Sequence, residues 1–222
     1  MPGQQRPALV FDLDGTLLDV SARHHHVYST VCESLEGHPL DRATYWNLKR
    51  QRAGWPEILA VSGLTPDRYT AFEATFKSLI ELPASLGFDV LFPDAVSLLA
   101  KASAQHRCVL VSLRTSPIAL RAQLEVLAIT PYFSTVESAP ADDEPAFQVK
   151  VRLIRRTIHS GEPAVLIGDT ESDVMAATAL GYPSIAVTSG IRDRDILAQQ
   201  EPDHLVDDLP GVEHALRLIG AL

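Results

Sequence analysis

The run ALVFDLDGTLLD, residues 8–19, decides how this chain is read. Residues 8–11 are apolar without interruption, and two carboxylates, Asp12 and Asp14, follow at once, with Gly15 and Thr16 behind them. A short, continuous apolar run is the pattern of a strand buried on both faces, as in a parallel sheet held between helix layers. The run stops at Asp12, which marks the carboxyl edge of that sheet, and Gly15 lets the backbone turn away. If the extended geometry persists, residues two apart project to the same side, so Asp12 and Asp14 converge. Paired carboxylates at a strand end are costly to desolvate unless a cation or a shared proton compensates, so the pair points to chemistry rather than to a solvated Asp-Gly turn.

Outward from this run, three others repeat it: RCVLVSL at 107–113, AVLI at 164–167 and SIAV at 184–187, with 133–137 a weaker fifth. The intervening segments 94–105, 117–127, 147–159 and 172–180 carry apolar residues at helical spacing. Strands alternating with helices predict an α/β fold, a doubly wound parallel sheet with helices on both faces. Ligands of such sheets bind at the carboxyl ends of the strands. Residues 20–92 break the alternation. There the spacing predicts helices over 21–35, 41–52, 56–61 and 66–82, the last with Thr65 as N-cap and Pro66 at the first helical position. The expected organisation is a core domain of residues 1–19 and 93–222 with an all-helical cap domain, 20–92, inserted through two hinge-like linkers.

The chain has 222 residues, of which 46% are hydrophobic and 21% charged, enough for one full core and a smaller unit. A net charge of -9 repels nucleic-acid backbones and anionic membranes, so the expected partner is a small molecule, with no nucleic acid and no membrane. No stretch approaches the roughly 20 apolar residues of a membrane span. The N-terminal MPGQQRPALVFD lacks the pattern of a secretory leader. Cys32 and Cys108, in separate apolar stretches, read as buried free thiols, which with the foregoing implies a cytoplasmic protein. Monomer and homodimer are both compatible with the sequence.

In AVLIGDTESD, residues 164–173, Asp169 follows a buried strand and Asp173 lies one helical turn on, so both can face one point. Hard oxygen ligands suit Mg2+. Alone, this spacing serves helix capping and the helix dipole; with Asp12 and Asp14 at another strand end of the same sheet, it reads as a metal site. Ser112 ends its strand where its hydroxyl and the following N–H groups can hold phosphate, helped by the helix that starts near Pro117. Lys150, at the start of a helix, offers a cation for a nucleophilic carboxylate and a transferring phosphoryl group. Arg114 suits a phosphate contact or a helix cap equally. Lys49, Arg50, Arg52 and Trp55 fit either a solvated basic helix end or contact with a second anionic group of a substrate, Arg52 being the candidate. His24, His25 and His26 are about 100° apart on a helix and cannot all converge on one ion, so a surface or hinge role is expected.

These residues resemble the haloacid dehalogenase superfamily over nearly the whole chain: VFDLDGTLLD, VLVSL, the Lys150 of VKVRLI and IGDTESDVMAA stand for its four motifs in order. The helical insert after the first motif resembles the phosphoglycolate phosphatase and beta-phosphoglucomutase subfamily. The resemblance implies that Asp12 is a nucleophile forming an aspartyl-phosphate, and that Asp14 protonates the leaving group and then activates water. It implies Mg2+ held by Asp12, the backbone carbonyl of Asp14 and Asp169, with Asp173 a ligand or one step removed, and Ser112 and Lys150 on the phosphate. The implied activity is a Mg2+-dependent phosphatase of a small phosphorylated metabolite. Asp14 disfavours dehalogenases and ion pumps, which lack this acid. A phosphomutase differs only in whether water or a second hydroxyl reaches the phosphoaspartate. A non-catalytic scaffold would have lost one of the four acids.

Overall fold

The computed structural model describes residues 6–142 and 144–221, so the reading of residues 1–5 as free of a leader pattern lies outside it. The chain divides into two compact units, Met1–Leu18 with Leu91–Leu222, and Asp19–Val90. Strand β1 (Ala8–Phe11) opens the first unit, and β2 (Leu18–Asp19) pairs with β3 (Val90–Leu91) where the chain leaves and rejoins it. Then follow β4 (Cys108–Ser112), β5 (Thr135–Ser138), β6 (Ala164–Gly168), β7 (Ser184–Val187) and β8 (His204–Val206).

The main sheet has the order β5-β4-β1-β6-β7-β8, and every pairing in it is parallel. From β1 the chain builds outward to β5, then returns to the other side of β1 and builds outward again. The order therefore reverses around β1, and the crevice of such a sheet opens at the carboxyl ends of β1 and its two neighbours. Register sets those ends level: Phe11 pairs with both Leu110 and Ile167, and the Asp12 N–H donates to Ile167 O at 2.9 Å.

Four of the six sheet strands, β1, β4, β6 and β7, are buried throughout because both faces are covered. Ala8, Val10, Val109, Val111, Ala164 and Leu166 share one cluster with Val149, Leu153, Ile154, Ala176 and Ala177. Those come from α8 (Ala146–Thr157) and α9 (Glu171–Leu180), numbered after seven earlier helices: α1 (Ser21–Ser34), α2 (Arg42–Arg50), α3 (Trp55–Val61), α4 (Tyr69–Leu79), α5 (Pro83–Leu86), α6 (Ala95–Gln105) and α7 (Pro117–Val126). Alternate strand residues, Leu9, Phe11, Leu110 and Ile167, point to the opposite face and are equally buried. The chain ends with α10 (Arg194–Ala198) and α11 (Leu209–Leu218), the latter packed on α6, β7 and β8.

The Asp19–Val90 unit is helical around an aromatic core. Tyr28 stacks on Tyr45 with centroids 4.3 Å apart, its hydroxyl meets Ser62 Oγ at 2.6 Å, and Phe72 and Phe76 close the cluster. Arg23 and Asp89, both buried, pair at 3.1 Å within this unit. The helix expected over 66–82 is not continuous. Pro66–Arg68 form a 3-10 turn, α4 follows, and Leu82 is extended because Pro83 comes next. Thr65 stands before that turn without capping it; its hydroxyl turns to the Asp67 carboxylate instead. The helix expected over 41–52 stops at Arg50, since Arg52 takes a left-handed conformation. The strand expected at 133–137 begins two residues later, after a 3-10 turn at Thr130–Tyr132. Both cysteines are buried and free. No helix among the described residues is long and apolar enough to cross a membrane.

Candidate active site

Four side chains meet beyond the ends of β1 and β6. Asp12 follows β1 directly, Asp169 follows β6, Asp173 lies in the first turn of α9, and Lys150 comes from the first turns of α8. Lys150 sits next to Val149 in the stripe that α8 buries, and that placement carries its ammonium inward instead of into solvent. Its Nζ lies 3.0 Å from Asp12 Oδ1 and also donates to Asp173 Oδ1. Carboxylate oxygens of Asp12, Asp169 and Asp173 all lie within 4.8 Å of one another, and among the described residues no other group of His, Cys, Asp and Glu is so arranged.

Each carboxylate is held by its surroundings. Asp169, fully buried, accepts from Thr16 Oγ1 at 2.9 Å and from the Ile191 N–H at 2.6 Å. Asp173 forms a reciprocal cap with Thr170: its Oδ2 accepts from the Thr170 N–H at 3.1 Å and from Thr170 Oγ1 at 2.6 Å. Backbone must come very close for this to fit. A Cβ on Gly15 would lie 2.0 Å from Asp169 Oδ2, and one on Gly190 would lie 2.2 Å from both Asp169 Oδ2 and the Gly15 carbonyl oxygen. Two glycines therefore form the walls against which Asp169 is set.

Charge in this cluster is unbalanced, with three carboxylates against one ammonium. Burial, then the neighbouring carboxylates, push Asp12 up to about 7 despite the opposing pull of Lys150. Burial, then Asp12 and Asp173, raise Asp169 well above the ordinary carboxylate range. Lys150 is driven the other way from what burial alone does: desolvation disfavours its charge, but Asp12 and Asp173 together outweigh that and hold the ammonium charged. The excess is what a divalent cation would neutralise, and the donor set is the all-oxygen one that Mg2+ prefers, so the residues present fit such an ion. Capacity for further partners is greatest at Asp12, smaller at Asp169 and smallest at Asp173, which already accepts three hydrogen bonds.

Asp14 is not directed into this cluster. Its two carboxylate oxygens accept a fork from Arg114, Nε to Oδ2 at 2.5 Å and Nη2 to Oδ1 at 2.6 Å. Its charge still acts on Asp12, whose ionisation it opposes. Ser112, at the end of β4, is buried and accepts at Oγ from the Arg114 N–H at 3.3 Å. Ser116 caps α7 by accepting from the Ala119 N–H, so the cap belongs to Ser116 and not to Arg114.

Arg52 and its neighbours lie in the helical unit. Arg52 is exposed with φ of 67°, and Lys49 Nζ stands 4.8 Å from the centroid of Trp55. The three histidines diverge: His24 packs on Trp46 and Phe76, His25 Nε2 is 2.9 Å from Leu40 O, and His26 stacks on Phe88. Only His26 is exposed; His24 and His25 are half-buried against aromatic side chains. Residues not anticipated are Gly190 and Ile191, which act through a missing Cβ and a backbone N–H, and the Arg192–Glu171 pair at 2.8 Å that ties their loop to α9.

Comparison with known proteins gives a consistent outcome. The model of the haloacid dehalogenase-like hydrolases matches residues 7–181. A probable phosphatase, IndB, of Dickeya dadantii is 30% identical over 95% of each chain. A phosphoglycolate phosphatase of Synechococcus elongatus is 26% identical over 90% of this chain and 92% of its own. Among solved structures, a haloacid dehalogenase-like family hydrolase from Streptococcus pneumoniae superposes with a TM-score of 0.78 at 20% identity, covering 96% of this chain and 98% of its own.

Proposed function

The chain belongs to the haloacid dehalogenase-like hydrolase family and is a phosphatase, and from that premise we propose a Mg2+-dependent hydrolysis of the phosphate monoester of a small metabolite through an aspartyl-phosphate on Asp12. The observation that carries this reading is Lys150 bridging Asp12 and Asp173 beside Asp169, a buried cluster whose excess negative charge a divalent cation would neutralise. Asp12, the backbone carbonyl of Asp14 and Asp169 would hold Mg2+, with Asp173 acting directly or through Lys150. When bound, the ion would supply positive charge to the phosphoryl oxygens.

An Asp12 carboxylate oxygen attacks phosphorus, the ester oxygen departs with a proton from Asp14, and water that gives its proton back to Asp14 then cleaves the acyl phosphate to inorganic phosphate. Lys150 and Ser112 hold the phosphoryl oxygens as charge moves across them. Small phosphorylated acids head the substrates to try, because relatives along nearly the full length carry the name phosphoglycolate phosphatase.

The test is phosphate release from phosphoglycolate, sugar phosphates and nucleotides, with Mg2+ or EDTA, by wild type and Asp12→Asn. Release that needs the metal and disappears in the variant is expected. Release that persists in EDTA or in Asp12→Asn would overturn the assignment.

A further inference from the structure

Arg114 is only 4% exposed, and it serves two parts of the site at once. Its guanidinium takes both oxygens of Asp14 in a fork, at 2.5 and 2.6 Å, while its main-chain N–H donates to Ser112 Oγ. The residue thus joins the acid to the seat proposed for phosphate. These duties conflict. A general acid carries its proton on one of its two oxygens, and an N–H of the fork points at each of them, so the fork must loosen at one oxygen before that proton can be held and passed on. A phosphate seated at Ser112 presents three oxygens with a charge of about -1.5 to -2, and a guanidinium fork matches that group as well as it matches a carboxylate.

We propose that Arg114 exchanges partners: an arriving phosphate draws at least one of its N–H groups away from Asp14, so that the acid is freed only when there is a phosphoryl group to act on. The proposal rests on the phosphatase reading above. It makes phosphate binding and the release of Asp14 one event, and it makes Asp14 and phosphate competitors for a single guanidinium. A merely structural ion pair would hold the turn after β4 and leave phosphate affinity independent of Asp14 through Arg114.

Competition has a signature in a double-mutant cycle. Inorganic phosphate is titrated by calorimetry into the full chain with Mg2+, as wild type, Asp14→Asn, Arg114→Gln and the double variant. Removing the competitor with Asp14→Asn should tighten phosphate roughly tenfold while Arg114 is present, and less than about twofold in Arg114→Gln. Arg114→Gln alone should weaken it roughly tenfold. Equal tightening in both backgrounds means that Asp14 simply repels the anion, and that result overturns the exchange; so does an Arg114→Gln protein that binds phosphate like wild type. Should Arg114→Gln fail to fold, Arg114→Lys keeps a charge but not the fork, and the Asp14→Asn effect should fall below about threefold there. A wild type that hydrolyses esters but gives a flat cycle sinks the exchange alone, whereas a wild type that hydrolyses none of them sinks the phosphatase reading with it.

Discussion

Lys150 Nζ reaches Asp12 at 3.0 Å and Asp173 at the same time, so a single buried ammonium ties the end of β1 to the first turn of α9. Its removal would leave three buried carboxylates facing one another without compensation. Lys150→Met is expected to lower kcat by about 10²–10³ and to destabilise the protein by about 3–5 kcal/mol. Steady-state kinetics and urea denaturation measure both; a variant with wild-type kcat would show that this ammonium takes no part in the reaction.

Asp12 works against the fold when no metal is bound. Its folded pKa, about 7, lies above its ordinary value of 3.8, so the stability it contributes is fully present below about pH 4 and is lost as pH rises through 7. In EDTA at pH 8, Asp12→Asn should therefore be more stable than wild type by on the order of 2 kcal/mol, and the gap should close towards pH 4. Mg2+ should raise the unfolding midpoint of the wild type far more than that of the variant. Calorimetric scans at the two pH values decide it, and a variant no more stable than wild type at pH 8 would refute the idea.

Gly190 has no room for a side chain, because a Cβ there would overlap Asp169 and the Gly15 carbonyl. Gly190→Ala should shift the loop, displace Asp169 and reduce the Mg2+-induced rise in unfolding midpoint along with activity, the latter by about 10–100-fold. Gly161→Ala is the control. Unlike Gly190 it has a positive φ, 82°, but open space around it, and should cost about 1 kcal/mol without touching activity. Similar kinetics for the two variants would contradict the close-packed cradle.

Glu162, far from this chemistry, gives an acid-sensitive tie. Burial raises its pKa, but the His159 N–H and the Arg107 fork at 2.8–3.1 Å outweigh burial and hold it below the ordinary range. A depressed folded value means that the tie stabilises above the unfolded pKa of about 4.5 and is lost as pH falls through the folded one. Glu162→Gln should thus cost about 1–2 kcal/mol at pH 7 and progressively less below pH 4. Denaturant midpoints measured across that range check the sign.

Much of the architecture is legible in the sequence because parallel strands covered on both faces leave uninterrupted apolar runs, as at β1, β4, β6 and β7. Strand β8 leaves no such trace: His204–Val206 is three residues long, lies at the sheet edge and is only half-buried. The meeting of Asp12, Asp169, Asp173 and Lys150 is legible in the sequence because a strand end or helix start fixes where those side chains point. Ile191 is not found, since it contributes a backbone N–H that every residue but proline possesses. The Asp14–Arg114 fork joins positions 100 residues apart, and only the adjacency of β1 and β4 brings them together.

Strands β2 and β3 lie side by side, so the helical unit departs from and returns to the same place on the sheet unit's chain. The main sheet therefore sees the whole insertion as a closed loop whose ends are already joined, and the entropy of closing such a loop grows only slowly with its length. Material between Asp19 and Val90 can be lengthened, shortened or exchanged for another module with little strain on the strands that carry Asp12 and Asp169. The chain is in effect built as a socket and a plug, and chimeras cut at those two residues should keep the sheet unit folded whichever module they carry.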